Sequence, residues 1–184
     1  MFIIRKDQLK LVDPSDCLLK KKPEPYLFDK DGDPQYLINV LFDKMHEFGG
    51  IGLSANQVGM DKRMFVMGGD KSLAVFNPVI LEYHTDTESF KEGCLTYPGL
   101  FLNITRPKSI KVKFQDKLGN NVFEEFIGLT ARVFQHEYEH MEGKNFTENV
   151  SKLKLDLAKK RYDNLKKKII KKHAVKTMIN AINN

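Results

Sequence analysis

At 184 residues, with 41% hydrophobic side chains and 13 phenylalanines, the chain has the length and apolar content for one globular domain with its own core, which excludes a disordered chain. Its two cysteines, Cys17 and Cys94, exclude a disulfide framework and point to a reducing, cytoplasmic setting; no apolar run has the length of a membrane span, and Met1–Lys6 is too short for a secretory leader. The net charge of +6 is uneven, because residues 151–184 hold 11 Lys and Arg against Asp156 and Asp163, a net +9, while residues 1–150 sum to −3.

Residues 1–32, with Pro14, Pro23 and Pro25, read as an extended or looping lead-in. Cys17 within it reads as inert packing. Asp33-Pro34 is a cap followed by proline at the first helical position. Leu37, Ile38, Leu41, Phe42 and Met45 then recur at helical spacing, and Gly49-Gly50 ends the helix. A loop over Ile51–Asp61 is expected. Short strand-like segments follow at Arg63–Met67, Leu73–Ile80 and Ser89–Leu95. Ser109–Gln115 alternates, with Ile110, Val112 and Phe114 on one face and Lys111 and Lys113 on the other. The turn signal Leu118–Asn121 predicts a return strand over Val122–Ile127. Gly128 precedes a helix over Leu129–Met141, and Gly143 is its stop. The tail from Ser151 is helical in composition, with Leu153, Leu157, Leu165 and Ile169 as one narrow apolar stripe and Val175, Met178, Ile179 and Ile182 as another. The order helix, strands, helix gives the α+β class rather than alternating βαβ units.

The helix over Leu129–Met141 contains Gln135-His136-Glu137-Tyr138-Glu139-His140, an H-E-x-x-H pattern. Residues four apart share a helix face, so His136 and His140 can point at one metal ion. Glu137 then sits where it can move protons on water activated by that ion. Two histidines are not a full site, because catalytic metal centres usually have three protein ligands. Glu142, Glu148 and His173 lie downstream, without the spacing of the familiar protease extensions. Cys94 lies upstream, and a thiolate suits zinc or ferrous iron.

Three motifs in this order resemble those of the peptide deformylase family. Gly50-Ile51-Gly52-Leu53-Ser54-Ala55-Asn56-Gln57 matches its glycine loop, Glu92-Gly93-Cys94-Leu95-Thr96 its cysteine motif, and Gln135–His140 with Gly143 its histidine motif. Ser54 stands for the usual alanine, Thr96 for serine and Glu139 for aspartate. The resemblance covers roughly residues 1–150 as a catalytic domain, with 151–184 as a basic helical extension. It implies mixed, mainly antiparallel sheets packed around a central metal-binding helix, with an N-terminal helix and a basic C-terminal helix. It implies hydrolysis of the formyl group from N-formylmethionyl peptides as they are synthesised, releasing formate. Cys94, His136 and His140 would bind one divalent metal, ferrous iron in the cell, with zinc, nickel or cobalt as substitutes. Glu137 would be the acid and base, with the Gln57 amide and the Leu95 N–H stabilising the oxyanion. Ile51, Gly52 and Gly93 would line the peptide, and Ile51, Phe90, Leu129 and Val133 the methionine pocket. Glu92 would pair with Arg106, and Phe101 replaces an arginine of many relatives.

The resemblance also implies a C-terminal helix that docks near the ribosomal exit tunnel, which weighs equally with a plain solvated face. A monomer with no membrane partner is expected. Two competing readings are a metalloprotease on the same helix and a catalytically silent ribosome-binding protein on the same scaffold. Cys94 and the glycine loop disfavour the first; retention of Gln57, Cys94, His136, Glu137 and His140 disfavours the second.

Overall fold

The computed structural model describes residues 9–68, 72–165 and 167. Helix α1 spans Pro34–Glu47, and the Asp33 side chain accepts from the Gln35 N–H, as the capping signal implies. Its buried face is Leu37, Ile38, Val40, Leu41 and Met45, with the stem of Lys44 beside them. The expected loop after it holds a short strand, β1 (Gly52–Ser54), and one 3-10 turn over Ala55–Val58. Three residues are too few to show a period in sequence.

Strands β2 (Met64–Met67), β3 (Leu73–Tyr83), β6 (Ser109–Gln115) and β7 (Asn121–Ile127) complete a five-stranded sheet in the order β1-β2-β3-β6-β7. The hairpin pairs Ser109 with Ile127 through to Gln115 with Asn121, in the register that the alternation sets. Strands β4 (Thr87–Cys94) and β5 (Tyr97–Pro107) form a separate two-stranded sheet. Every pairing among the described residues is antiparallel, in line with the mainly antiparallel sheets expected. Only short turns and hairpins connect most of these neighbours, which antiparallel pairing permits.

Helix α2 (Gly128–Met141) packs against strands of both sheets. Ala131, Val133, Phe134 and Met141 enter one core with Phe65, Val75, Ile110, Val112 and Phe114. Phe134 meets Phe65 edge-on at 5.1 Å between ring centroids, a favoured aromatic geometry. The α1 side is a second core with Tyr26, Leu53, Met64 and Phe76.

Residues 152–165 are helical. Leu155 and Ala158 pack on the cluster of Cys94, Leu100, Leu102, Ile104 and Phe146, and the Tyr162 ring lies against Gly99. The apolar stripe read from the sequence is turned outward: Leu153, Leu157 and Leu165 are exposed. Two stripes of helical spacing coexist in this segment, and small Ala158 with Tyr162 over a side-chain-free Gly99 makes the closer fit. Ile169 and the stripe Val175–Ile182 lie outside the described residues. Cys17, expected to be packed, is exposed.

Candidate active site

Strand β4 ends where its pairing with β5 shifts, between Gly93 and Cys94. The chain turns at Leu95-Thr96, and the shift delivers the Cys94 thiol to the face of α2. On that face Arg132, His136 and His140 follow each other four residues apart. The ligand atoms of Cys94, His136 and His140 lie within 4.8 Å of one another, and Cys94 Sγ is 3.4 Å from His140 Nε2. None of the downstream candidates joins them among the described residues: Glu142 pairs with Arg63 and Lys22, and Glu148 caps its own turn through Asn145. His173 is outside the described residues.

Burial raises the pKa of the Cys94 thiol, but His140 and His136 more than offset it and hold the thiol well below its ordinary value. For His136 desolvation works against the charged ring, yet Cys94 and Glu92 raise its pKa. The Nδ1 of His136 is 3.1 Å from Glu92 Oε2, which leaves Nε2 to face the thiol. His140 keeps Nδ1 without a partner in the protein. A buried thiolate facing two imidazoles, one sulfur with two nitrogens, is a donor set that fits a divalent cation, with ring orientation fixed behind one ligand by a carboxylate.

Glu92 is the hub of that support. Arg106 donates to it from Nε at 2.8 Å and Nη2 at 2.9 Å, and Arg132 donates from Nη1 at 2.6 Å. Burial pushes the Glu92 carboxyl up, but His136 and Arg106 bring it down to about 2. The Arg106 pairing expected from sequence is therefore present, and Arg132 is an addition. Arg106 also meets Glu139 at 2.6 and 3.0 Å, so the longer acidic side chain of this chain still closes the network. A carboxylate taking three charged partners is orientationally fixed, because each geometry constrains the others.

Glu137 is 3% exposed and its Oε2 has no partner in the protein. Burial pushes its carboxyl up to about 7, with His136 and His140 pulling the other way. It lies against Gly52: a Cβ there would sit 2.9 Å from Glu137 Cδ and nearer still to Oε1. Glycine at 52 is thus a requirement of close approach. Gln57 is 1% exposed, in the 3-10 turn after β1. Its Nε2 donates to Thr96 Oγ1 at 3.0 Å and lies 3.4 Å from Cys94 Sγ.

These groups form the floor of a cleft of about 530 Å³. Ile51, Gly52, Gln57, Phe90, Gly93, Cys94, Leu95, Leu129, Val133, His136 and Glu137 all line it, so the structure gathers the residues singled out in sequence; His140 lies behind, 1% exposed. Ile51, Phe90 and Leu129 are exposed at the mouth, and Val133 is buried. Phe101 lies against Gly93 with Lys91 Nζ 5.0 Å from its ring centroid. Sequence reading missed Arg132 and the wall formed by Tyr97, Pro98, Gly99 and Leu100. The i, i+4, i+8 spacing of Arg132, His136 and His140 was the available signal for the first.

An antiparallel α+β scaffold that presents a Cys-His-His donor set, a buried glutamate and a buried amide to an apolar cleft is the architecture of a metal-dependent hydrolase of amides. The chain belongs to the polypeptide deformylase family, whose model matches residues 8–156; its members are metal-dependent hydrolases that remove the N-formyl group from nascent peptides. It is 41% identical to the peptide deformylase of Thermotoga sp. (strain RQ2) over 147 residues, covering 79% of this chain and 89% of that one. It is 35% identical to peptide deformylase 1B, chloroplastic/mitochondrial, of Arabidopsis thaliana, over 87% of this chain and 60% of that one. The crystal structure of the Thermotoga maritima peptide deformylase superimposes with a TM-score of 0.73 at 40% identity, over 78% of this chain and 97% of that one. That of the Synechococcus elongatus enzyme in complex with actinonin gives 0.78 at 31%, over 84% and 86%.

Proposed function

We propose that the family reaction runs in this cleft with Cys94, His136 and His140 as metal ligands and Glu137 as the acid and base. The observation that carries this is the meeting of three ligand atoms within 4.8 Å beside Glu137 and Gln57 at the floor of the cleft. A divalent cation held there supplies the Lewis acidity that makes water a nucleophile near neutral pH. Glu137 takes the proton as the water oxygen adds to the formyl carbon, and hands it to the departing amine as the C–N bond breaks. Burial favours this use, since a carboxyl whose pKa is raised to about 7 both accepts and returns a proton near neutrality. The oxyanion is received by the Gln57 amide and the Leu95 N–H, and losing one such donor typically costs ~10²–10³ in rate. The products are formate and a free amino terminus.

The methionine side chain occupies the apolar part of the cleft between Ile51, Phe90, Leu129 and Val133, against the edge of the His136 ring. The peptide backbone runs between Gly52 and Gly93. Both β1 and β4 are edge strands of their sheets, which supports strand-like pairing on either side of the substrate. Phe101 brings an apolar ring where an arginine would hold the peptide backbone, so that anchoring is weaker here.

Ferrous iron is the occupant in the cell, with zinc, nickel or cobalt able to replace it; the thiolate-imidazole set supports all four. Two free cysteines support a reducing, cytoplasmic compartment. The protein acts as a monomer with residues 1–150 as its catalytic unit, and the +9 tail of residues 151–184 carries it to the ribosome through rRNA phosphates.

Formate release from a formyl-Met tripeptide, with protein purified anaerobically and its metal content measured, tests the reaction and the metal together. Iron at one per chain with turnover of the formyl but not the acetyl peptide is expected. Turnover of both peptides refutes the reading of the site. Co-sedimentation with ribosomes at low salt, with and without residues 151–184, tests the tail, and equal sedimentation of both forms refutes it.

A further inference from the structure

We propose that Ser54 is a positioning residue, whose hydroxyl fixes the Gln57 amide so that its N–H on the Cys94 side is directed to the cleft, where the reacting carbonyl would take it over from the sulfur. The inference rests on the oxyanion role of Gln57. A primary amide offers two acceptor sites on Oε1 and two hydrogens on Nε2. In this protein both acceptor sites of Gln57 are taken by one residue: the Ser54 N–H donates to Oε1 at 2.9 Å, and the Ser54 hydroxyl donates to the same oxygen at 2.9 Å. On the other end, Thr96 Oγ1 accepts one Nε2 hydrogen at 3.0 Å. The other hydrogen is donated to Cys94 Sγ at 3.4 Å, a long bond to sulfur on the side of the cleft, which Gln57 lines.

Turning the amide by 180° would set its NH2 against the Ser54 N–H, donor against donor. Thr96 does not choose between the two orientations, since a hydroxyl either donates or accepts. The choice is therefore made at Ser54. There the hydroxyl adds a second donor to what the backbone alone would offer an alanine. A carbonyl that accepts two bonds also polarises its amide, which makes the N–H on the cleft side a better donor. Ser54, Gln57 and Thr96 are 0%, 1% and 3% exposed, so water cannot replace a missing partner freely. The same hydroxyl accepts from the Gln57 backbone N–H in a capping box and reaches Glu137, so variants at both positions separate its action on the amide from these other contacts.

The test is a double-mutant cycle on the metal-loaded full chain, with kcat and KM read from formate release. Ser54→Ala is expected to lower kcat about five- to ten-fold, the size of one lost hydrogen bond, with KM within two-fold and the melting temperature retained. Gln57→Ala is expected to cost ~10²–10³ in kcat. Adding Ser54→Ala to Gln57→Ala is expected to change kcat by less than two-fold, because there is no amide left to position. A full Ser54→Ala effect in both backgrounds overturns the proposal and places the hydroxyl's action on its other neighbour, Glu137, where it would also shift the pH profile. A wild-type rate for Ser54→Ala with a large loss for Gln57→Ala overturns it while leaving Gln57 in its role. A Gln57→Ala rate close to wild type overturns the reading of Gln57, and the proposal with it.

Discussion

Replacing Gly52 by alanine adds one methyl group at the place where the glycine loop touches Glu137. The new Cβ would stand 2.9 and 3.0 Å from Glu137 Cδ and Cγ, and nearer still to Oε1. Real Cβ atoms keep further away, so something must move. The backbone of residue 52 is held in β1 opposite Met67, and α2 is packed against both sheets, which leaves the Glu137 side chain as the part that yields. It has to retreat by about 1 Å, and a displacement of that size in a reacting group costs ~10²-fold in rate. The assay is kcat/KM for formate release from a formyl-Met peptide, beside the metal content and the melting temperature. Gly52→Ala should lose about two orders of magnitude while keeping one metal per chain, since Cys94, His136 and His140 are untouched. Gly68→Ala is the control, because its nearest neighbour is Met45 Cε at an ordinary 3.5 Å. A Gly52→Ala enzyme within three-fold of wild type would refute the inference that contact between Gly52 and the carboxylate sets the position of Glu137.

Glu92→Gln removes the charge that faces Arg106, Arg132 and His136, and leaves two buried guanidinium groups undercompensated. A loss of ~3–5 kcal/mol in unfolding free energy by denaturant titration is expected, with metal affinity ~10–100-fold weaker through His136; unchanged stability would count against the network. Burial, then Asp31 and Asp33, push Tyr26 up to about 12 from the usual 10. The folded form therefore keeps a proton that the unfolded chain gives up, so this contribution is complete below about pH 10 and lost as pH rises to about 12. Tyr26→Phe, which also gives up the bond to the Gly32 carbonyl, should show a shallower fall in stability over that window, and an identical fall would refute the assignment. Leu155→Asp should lower unfolding free energy by ~1–3 kcal/mol, because it puts a carboxylate on the β5 cluster. Leu153→Asp, at 70% exposed, should stay within ~0.5 kcal/mol. Equal effects of the two would mean that the tail helix does not dock by the Leu155 face.

The helices were legible because their signals are local. Asp33-Pro34 and the apolar spacing after it define α1, and H-E-x-x-H already implies two ligands on one face of α2. The hairpin of β6 and β7 was legible because one of its faces alternates strictly and a turn signal separates the strands. Strand β5 was not. Its buried phase is Leu100, Leu102, Ile104 and Arg106, and the arginine, with Pro98, Gly99 and Pro107 nearby, hides the alternation. Arg106 is inward because Glu92 and Glu139 wait for it there, and that is a long-range fact. The same holds for Arg132, whose partner stands 40 residues away. Ser54 read as a small departure from the motif; that its hydroxyl meets the Gln57 carbonyl depends on the tight turn between them. In the tail, the stripe of Leu153, Leu157 and Leu165 was legible, but the face that meets the β5 cluster is Leu155 and Ala158, and only the shape of that surface selects it.

The measurement that bears most directly on the account is formate release by Glu137→Ala at full metal occupancy. Glu137 is not among the three ligands, so the variant should bind one divalent metal per chain like the wild type. Its kcat should fall by at least ~10²–10⁴, the contribution of a positioned acid and base, while the wild type turns over formyl-Met peptide rapidly. A metal-loaded Glu137→Ala enzyme within ten-fold of wild type would contradict the assignment of proton transfer to this residue.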